Sequence, residues 1–568
     1  MLTKHIWRCI VVLLSCALLW AALLWLLPAS QTVRANPGSL FVTVSGSGTA
    51  CSQAQPCGLQ TALNRAVDGE VVYVGAGTYT GSGSAVITIT KGITLYGGWN
   101  GATTGAVARD SLAYHSIVDG QGARRAVIIT GTFACTLDGF TIQGGNGSVT
   151  PDPGWGGGIY CCGARCTLSN NVITGNTAST SASWGWGGGI AVRRAAGGAM
   201  IAGNRIESNT GATAARGGGA GMIVWQSPQS KITGNAVLSN TGSISNGRGV
   251  GGGMYIGQSS GTQVAGNVVE HNIAAQGKGQ DFSGSGGGIY LESGEGLWVT
   301  NNTVRFNVAN LADSVSGEGG GIFAGWMTGM VLATNTVESN IAHGATTGSG
   351  EGGGVEVYLS RGSLILANRV TRNTASLSTA GSAGGLWIGY GSSFTMTNNI
   401  VAGNHASNFG GGLVLQAYAG EPVTGTLQHN TFVANNAGSG NGKVAIQLFG
   451  AGSKLDSIND LFSTHSSALC VPAGNVVTIW RALFWNNSSG DLCLGSSAGM
   501  HNVIWQDPHL DSTYHLTAES HAIDRAEYAG VDIDIDGDPR PIGELYDIGA
   551  DEYRASRQVY LPLVLRKK

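Results

Sequence analysis

The chain has 568 residues with 94 Gly, 12 Pro, 11% charged residues and a formal net charge of −3. Glycine stands at more than twice its usual share, but without a Gly-X-Y period, which excludes collagen; the composition is too apolar for a disordered polar chain. The slight negative balance excludes nucleic acid as the main partner, because neutralising phosphates takes a basic surface.

In chain order, Lys4, His5 and Arg8 precede an unbroken apolar run from Cys9 to Leu27, and Val33-Arg34-Ala35 offers a small-residue cleavage site. Residues 1–35 read as an export signal or, uncleaved, as an N-terminal membrane anchor. The expected location is extracellular or at the cell surface, with a membrane met only through this segment. Residues 36–140 read as a cap and first coils. Leu59, Ala62, Leu63, Ala66 and Val67 have helical spacing, predicting a short helix that covers the open end of the first coil.

Residues 141–440 carry a repeat. An Asn is followed five residues later by a second Asn, with apolar β-formers between them. The first members are Asn171, Asn204, Asn235, Asn267, Asn302, Asn335, Asn368, Asn399 and Asn430, spaced 31 to 35 residues apart. Most pairs lead into a glycine triplet such as Gly286-Gly287-Gly288 and then a strand of period two. The period and composition exclude helical solenoids and predict an all-β parallel β-helix of about 12 to 13 coils with three strands per coil, a rod of about 60 Å at ~4.8 Å per coil. Stacked Asn side chains would form hydrogen-bonded ladders, and Asn tolerates the left-handed bend, so these residues are read as structural. Residues 441–553 read as terminal coils in which the period decays, and 554–568 as an apolar-basic tail.

Eight cysteines lie beyond the first 35 residues. In an exported chain an even count favours disulfides, with Cys51 and Cys57, and Cys470 and Cys493, as candidates; Cys161 also suits a small buried core position.

Three features could carry chemistry. Glu318 and Glu351 each precede a glycine triplet and so should fall in one column, where they could bind a cation or divide acid and base roles, with Glu356, Asp281 and Arg361 nearby; the ordinary reading is two solvated surface acids. Tyr255, Tyr290, Phe323 and Trp387 follow the first inward residue of their strands and should face outward, partly exposed, as a carbohydrate-binding stripe beside a groove. Asp532, Asp534, Asp536 and Asp538 open like a calcium loop, but the bidentate Glu is one place late; calcium is the one cofactor suggested, and an acidic strand face is the alternative.

The opening Phe41-Val42-Thr43-Val44, Ala76-Gly77-Thr78-Tyr79 and Leu95-Tyr96-Gly97-Gly98-Trp99 resembles secreted bacterial right-handed parallel β-helix proteins of the pectate-lyase-like superfamily. The Gly-Gly-Gly and Asn-pair repeats are similar to those of polymorphic outer membrane proteins. The segment from Asp534 to Pro541, with Asp547 to Glu552, resembles a choice-of-anchor Q domain. The resemblance implies a right-handed single-stranded β-helix. The acidic and basic motifs of that superfamily's polysaccharide hydrolases are missing in order. The leading expectation is therefore a non-catalytic protein that binds a polysaccharide or cell-surface glycan, or an adhesin. A polysaccharide lyase or glycoside hydrolase, and a structural envelope spacer, are the alternatives.

Overall fold

A computed structural model describes residues 38–555, except 182–183, 246, 278–282, 314, 419 and 438–443, together with the backbone of Gln31–Val33. The expected export segment apart from Gln31–Val33, the tail beyond residue 555, and Asp281 lie outside the described residues. Among the described residues no helix is long and apolar enough to cross a membrane.

One coil serves for all. Ile289–Glu292 (β1), Trp298–Thr300 (β2), Thr303–Arg305 (β3), Val308–Asn310 (β4) and Ser316–Glu318 (β5) follow one another, and Gly319-Gly320-Gly321 returns the chain to the next β1. Each strand pairs in parallel with its counterpart one coil on: Ile289 with Ile322, Val299 with Leu332, Val304 with Val337. The β1 sheet has 13 strands and the β3 sheet 14, a solenoid of the expected length. Alternation decides the core. Ile289, Leu291, Val299 and Val304 point inward with no exposed surface and stack into one continuous column of apolar side chains.

The coil holds more than the three expected strands. The β4 and β5 strands form two further ladders of nine and seven strands. They run beside each other as a two-layered fin outside the main prism, and the β5 layer leans over the outer face of the β1 sheet, where Val250 and Trp186 pack against Tyr255. The glycine triplet makes this path feasible. Gly286 has φ +63°, and a Cβ on Gly287 would stand 2.4 Å from the carbonyl oxygen of Gly320 in the next coil.

The two Asn columns are continuous hydrogen-bonded ladders. Asn302 Nδ2 donates to Asn335 Oδ1 at 3.0 Å and to the Val264 carbonyl at 2.8 Å, and its backbone N–H donates to the same Asn335 Oδ1 at 2.9 Å. Its own Oδ1 accepts the same pair of bonds from Asn267. The second column behaves alike through Asn307 and Asn340. The left-handed residue is not the Asn itself but the one before it, as with Asn301 (φ 55°) and Phe306 (φ 56°). The Asn fills the interior of the corner that its neighbour turns. The first ladder ends on Asp460, which accepts from Asn430 Nδ2 at 2.9 Å.

The N-terminal helix is α1, Leu59–Arg65, with Leu59, Ala62 and Leu63 buried; Val67 lies beyond it and is exposed, because the chain has already turned at Ala66. Cys51–Cys57 and Cys470–Cys493 are bonded as expected. Cys161 is not a free core residue: it is bonded to Cys166, and Cys135 is buried beside that bridge.

The C-terminal segment is a strap. Residues 510–553 run back over the outer face of the β3 sheet, where Leu516, Ala522, Ala526, Ile535 and Ile548 cover Ile400, Val433 and Leu461. Its polar contacts tie successive coils: Asp536 to Arg369, the Ile533 carbonyl to Asn398, the Asp547 carbonyl to His429, and the Glu527 carbonyl to Asn459. A buried Arg540–Glu552 pair at 2.8 Å fixes its own fold.

Replacing Asn302 by Ala orphans buried donors and acceptors in two neighbouring coils. The variant should lose about 3 kcal/mol or more, since each orphaned buried polar group costs about 1–3 kcal/mol. Chemical denaturation beside an exposed control with ordinary backbone, Glu295→Ala, checks this; equal midpoints would refute the structural role.

Candidate functional site

The ring column lies where expected in sequence and direction but not in exposure. Tyr255, Tyr290, Phe323 and Trp387 stand on the outer face of the β1 sheet, apart from the interior core, with Tyr255 opposite Tyr290 and Tyr290 opposite Phe323 in register. Their exposures are only 5, 3, 2 and 1%. The fin closes over them, so the expected exposed stripe beside a groove is not formed by these four rings. They are a second, outer core, with Tyr290 stacked on Phe323 at 4.8 Å.

Open rings lie one step further along the strand. Trp326 is 44% exposed and Tyr418 59%, with half-buried Tyr358 and Tyr390 between them. Centroids are 5.2 Å apart for Trp326–Tyr358, 4.8 Å for Tyr358–Tyr390 and 5.2 Å for Tyr390–Tyr418. This is an aromatic row along the rod axis.

Between this row and the fin is a cavity of about 300 Å³. Its floor is Phe323, Glu356 and Trp387 of the outer ring column, and its wall is Glu318 and Glu351 of the β5 ladder. The register expected from the glycine triplets holds, with Glu318 paired to Glu351 on adjacent strands. Glu356 takes the place of an aromatic ring, in register with Phe323 on one side and Trp387 on the other. It is 2% exposed, and its Oε2 has no hydrogen-bond partner among the described residues. Glu318 Oε2 accepts from Ser285 Oγ at 2.8 Å. Arg248 lines both this cavity and a smaller one of about 150 Å³ further up the cleft, beneath Trp184 and Trp186.

Three acids so placed cannot all ionise together. Burial and the Glu318 charge push the Glu351 carboxyl up to about 7. Burial, then the charges of Glu318 and Glu351, push Glu356 well above the carboxylate range, with only the Gly319 backbone pulling the other way. The surroundings favour the protonated form of Glu356, and near neutral pH Glu351 is poised to gain or lose a proton.

The C-terminal acids do not converge on a cation. Asp534 Oδ1 accepts from the N–H groups of Asp536 and Asp538, and Oδ2 from that of Glu552, so its oxygens serve the turn. Asp536 pairs with Arg369 and His515, Asp538 pairs with Arg554, and Asp532 is exposed. The calcium loop read from the spelling is a strap turn instead. His515, Asp536 and Asp551 do bring three ligand atoms within 4.8 Å of one another, but Arg369 Nη2 already lies 2.9 Å from His515 Nε2 and supplies the positive charge.

The pH dependence of stability has a defined sign. A carboxyl whose pKa is raised on folding holds a proton that the unfolded chain has lost, so stability falls as pH rises from about 4.5 to about 7. Asp460 and Asp547, both pushed up to about 7 by burial, act in the same direction. Glu351→Gln should remove part of this loss, leaving a variant relatively more stable than the parent at pH 8 than at pH 5. Melting curves at the two pH values check this; a constant difference would contradict the burial of that carboxyl.

Residues 125–337 and 282–462 match the model of a family described as right handed beta helix region. No curated protein matches the chain. Among solved structures, a pectate lyase aligns over 92% of this chain and 97% of its own at 13% identity and a TM-score of 0.29. The A-module of mannuronan C-5 epimerase from Azotobacter vinelandii aligns over 74% and 89% at 12% identity and 0.36. The catalytic domain of Agl-KA aligns over 84% and 70% at 13% and 0.30. At these values the structures bear on neither activity nor substrate.

Proposed function

Because the chain belongs to the right-handed β-helix family, a scaffold whose faces run unbroken along the rod, we propose that it binds a polysaccharide lengthwise in the cleft between the fin and the β1 sheet. The observation that carries this is the aromatic row Trp326, Tyr358, Tyr390 and Tyr418, at coil spacing and open at both ends. Sugar rings present apolar faces at a comparable repeat, and a cavity lined by carboxyls and Arg248 beside the row meets their hydroxyls. Beneath this row, Trp387 packs against Tyr358 and Tyr390, and with Phe323 it floors the cavity.

On this reading the protein works outside the cell. Three disulfides suit an oxidising compartment, and the N-terminal sequence suits export. A glycan array followed by affinity electrophoresis in gels containing the polymers that bind tests the proposal. The double variant Trp326→Ala/Tyr390→Ala should bind at least about tenfold more weakly, given that an aromatic contact contributes roughly 1–3 kcal/mol. Trp298→Ala, an exposed ring on the β2 face, should leave binding unchanged. Equal loss in both variants, or no polymer bound at all, would remove the proposal.

A further inference from the structure

We infer that His515 is a proton-operated clasp in the strap: protonated, its ring ties the hairpin at residues 510–516 to the acidic turn at residues 533–539, and on losing that proton it lets the two segments part. The hairpin closes where Leu510 bridges Leu516, and the turn where Ile533 bridges Pro539. Leu516 and Ile535 both belong to the apolar cover over Ile400, Val433 and Leu461, so the join between hairpin and turn is part of what holds that cover shut.

Hydrogen bonds fix which nitrogen titrates. Thr513 Oγ1 donates its one hydrogen to Asp511 Oδ1 at 2.8 Å. It therefore accepts from His515 Nδ1, also at 2.8 Å, and that nitrogen keeps its hydrogen in both states of the ring. The proton that comes and goes sits on Nε2. This nitrogen lies 2.9 Å from Asp536 Oδ2, which as a carboxylate can only accept, and 2.9 Å from Arg369 Nη2, which can only donate. It cannot serve both. With its proton, Nε2 donates to Asp536, and Arg369 is left to Asp536 Oδ1, 3.1 Å away. Without it, Arg369 donates to Nε2, whose lone pair then faces the Asp536 carboxylate with no hydrogen between them. Hairpin and turn lose their charge-assisted bond and gain a repulsion in its place.

The surroundings set the sign. Arg369 faces the ring from the rod, Asp536 from the turn, Asp551 from the end of the strap and Asp511 from the hairpin itself. Asp538 and Glu552 line the cavity beside the ring but are paired with Arg554 and Arg540. The hydrogen bond to Asp536 raises the imidazole pKa from its ordinary 6.5, aided by the charges of Asp551 and Asp536 and opposed by burial and Arg369. A group raised in this way stabilises the docked strap fully below its unfolded pKa and loses that contribution as pH climbs through the folded one. The clasp is therefore closed in acid and open in alkali. Asp551, pushed up to about 6 by burial, is already ionised where His515 titrates, and its charge helps to hold the proton. His429, the other imidazole bonded to the strap, is brought down to about 3 by burial and stays neutral throughout.

The test uses the full chain in two measurements. In the first, NMR of the nitrogen-labelled histidines follows His515, its signals assigned by comparison with His515→Gln. Nε2 should be the nitrogen that titrates, at a pH above that of an ordinary imidazole. In the second, amide hydrogen exchange is compared between about pH 5.5 and about pH 8.5, corrected for the intrinsic rate at each pH. Relative to the coils between Asn171 and Asn340, residues 510–516 and 533–539 should exchange at least about threefold faster at the upper pH. Asp536→Asn sets an amide donor opposite the lone pair of neutral His515. In that variant His515 should titrate lower than in the parent, and the pH response of strap exchange should vanish. Titration at Nδ1, a His515 pKa at or below the ordinary value, a strap-to-coil exchange ratio that does not change with pH, or a parent-like response in Asp536→Asn would each overturn the clasp.

Discussion

Amide-to-amide hydrogen bonding between coils is the constraint on which the rest of this molecule rests. Each Asn side chain closes a corner by bonding to the next coil and to a carbonyl of the preceding one, in an interior that water does not reach. A bond of this kind can be kept only if neighbouring coils stay in register at one spacing, so the ladders lock the stacking that the apolar columns alone would permit to slip. That fixed register allows residues more than thirty positions apart in sequence, such as Glu318 and Glu351, to be placed side by side.

The fin has a different part. It is built from short strands with small residues, and it converts one outer face of the prism from a solvated surface into a second interior. Where its inner column is bulky or apolar, as at Trp186 and Val250, it seals against rings. Where that column becomes Ser285, Glu318 and Glu351, the seal opens into a polar cavity. The site is therefore an interruption in the packing pattern, made by two acids in the fin column, Glu318 and Glu351, and one in the ring column, Glu356.

Much of this was legible in the sequence. Asn171 through Asn435 recur at so regular a period that the solenoid, the ladders and the Glu318–Glu351 register follow from counting residues. Strand alternation also gave the outward direction of Tyr255, Tyr290, Phe323 and Trp387. It could not give their burial, because exposure depends on where the fin leans, and that is a tertiary matter. Glu356 carried a signal that was available: aligning coils on their Asn columns puts this acid where its neighbours have Phe323 and Trp387. Tyr418 had none, since it lies on an irregular bend. The strap acids spelled a metal loop because Asp in alternate positions suits turn hydrogen bonds and metal ligation alike; only the backbone donors around Asp534 separate the two.

The strap sets a limit on how this chain can change length. Solenoids grow and shrink by duplicating or losing whole coils, because each coil meets only its neighbours. Here the strap bonds in turn to Arg369, Asn398, His429 and Asn459, so it measures the distance across those coils. Adding or removing a coil between Arg369 and Asn459 would put half its anchors out of reach and uncover Ile400, Val433 and Leu461. Among the described residues, coils between Asn171 and Asn340 carry no such ruler. A change in coil number is therefore tolerated by the N-terminal part of the rod and opposed by the part holding Tyr390 and Tyr418.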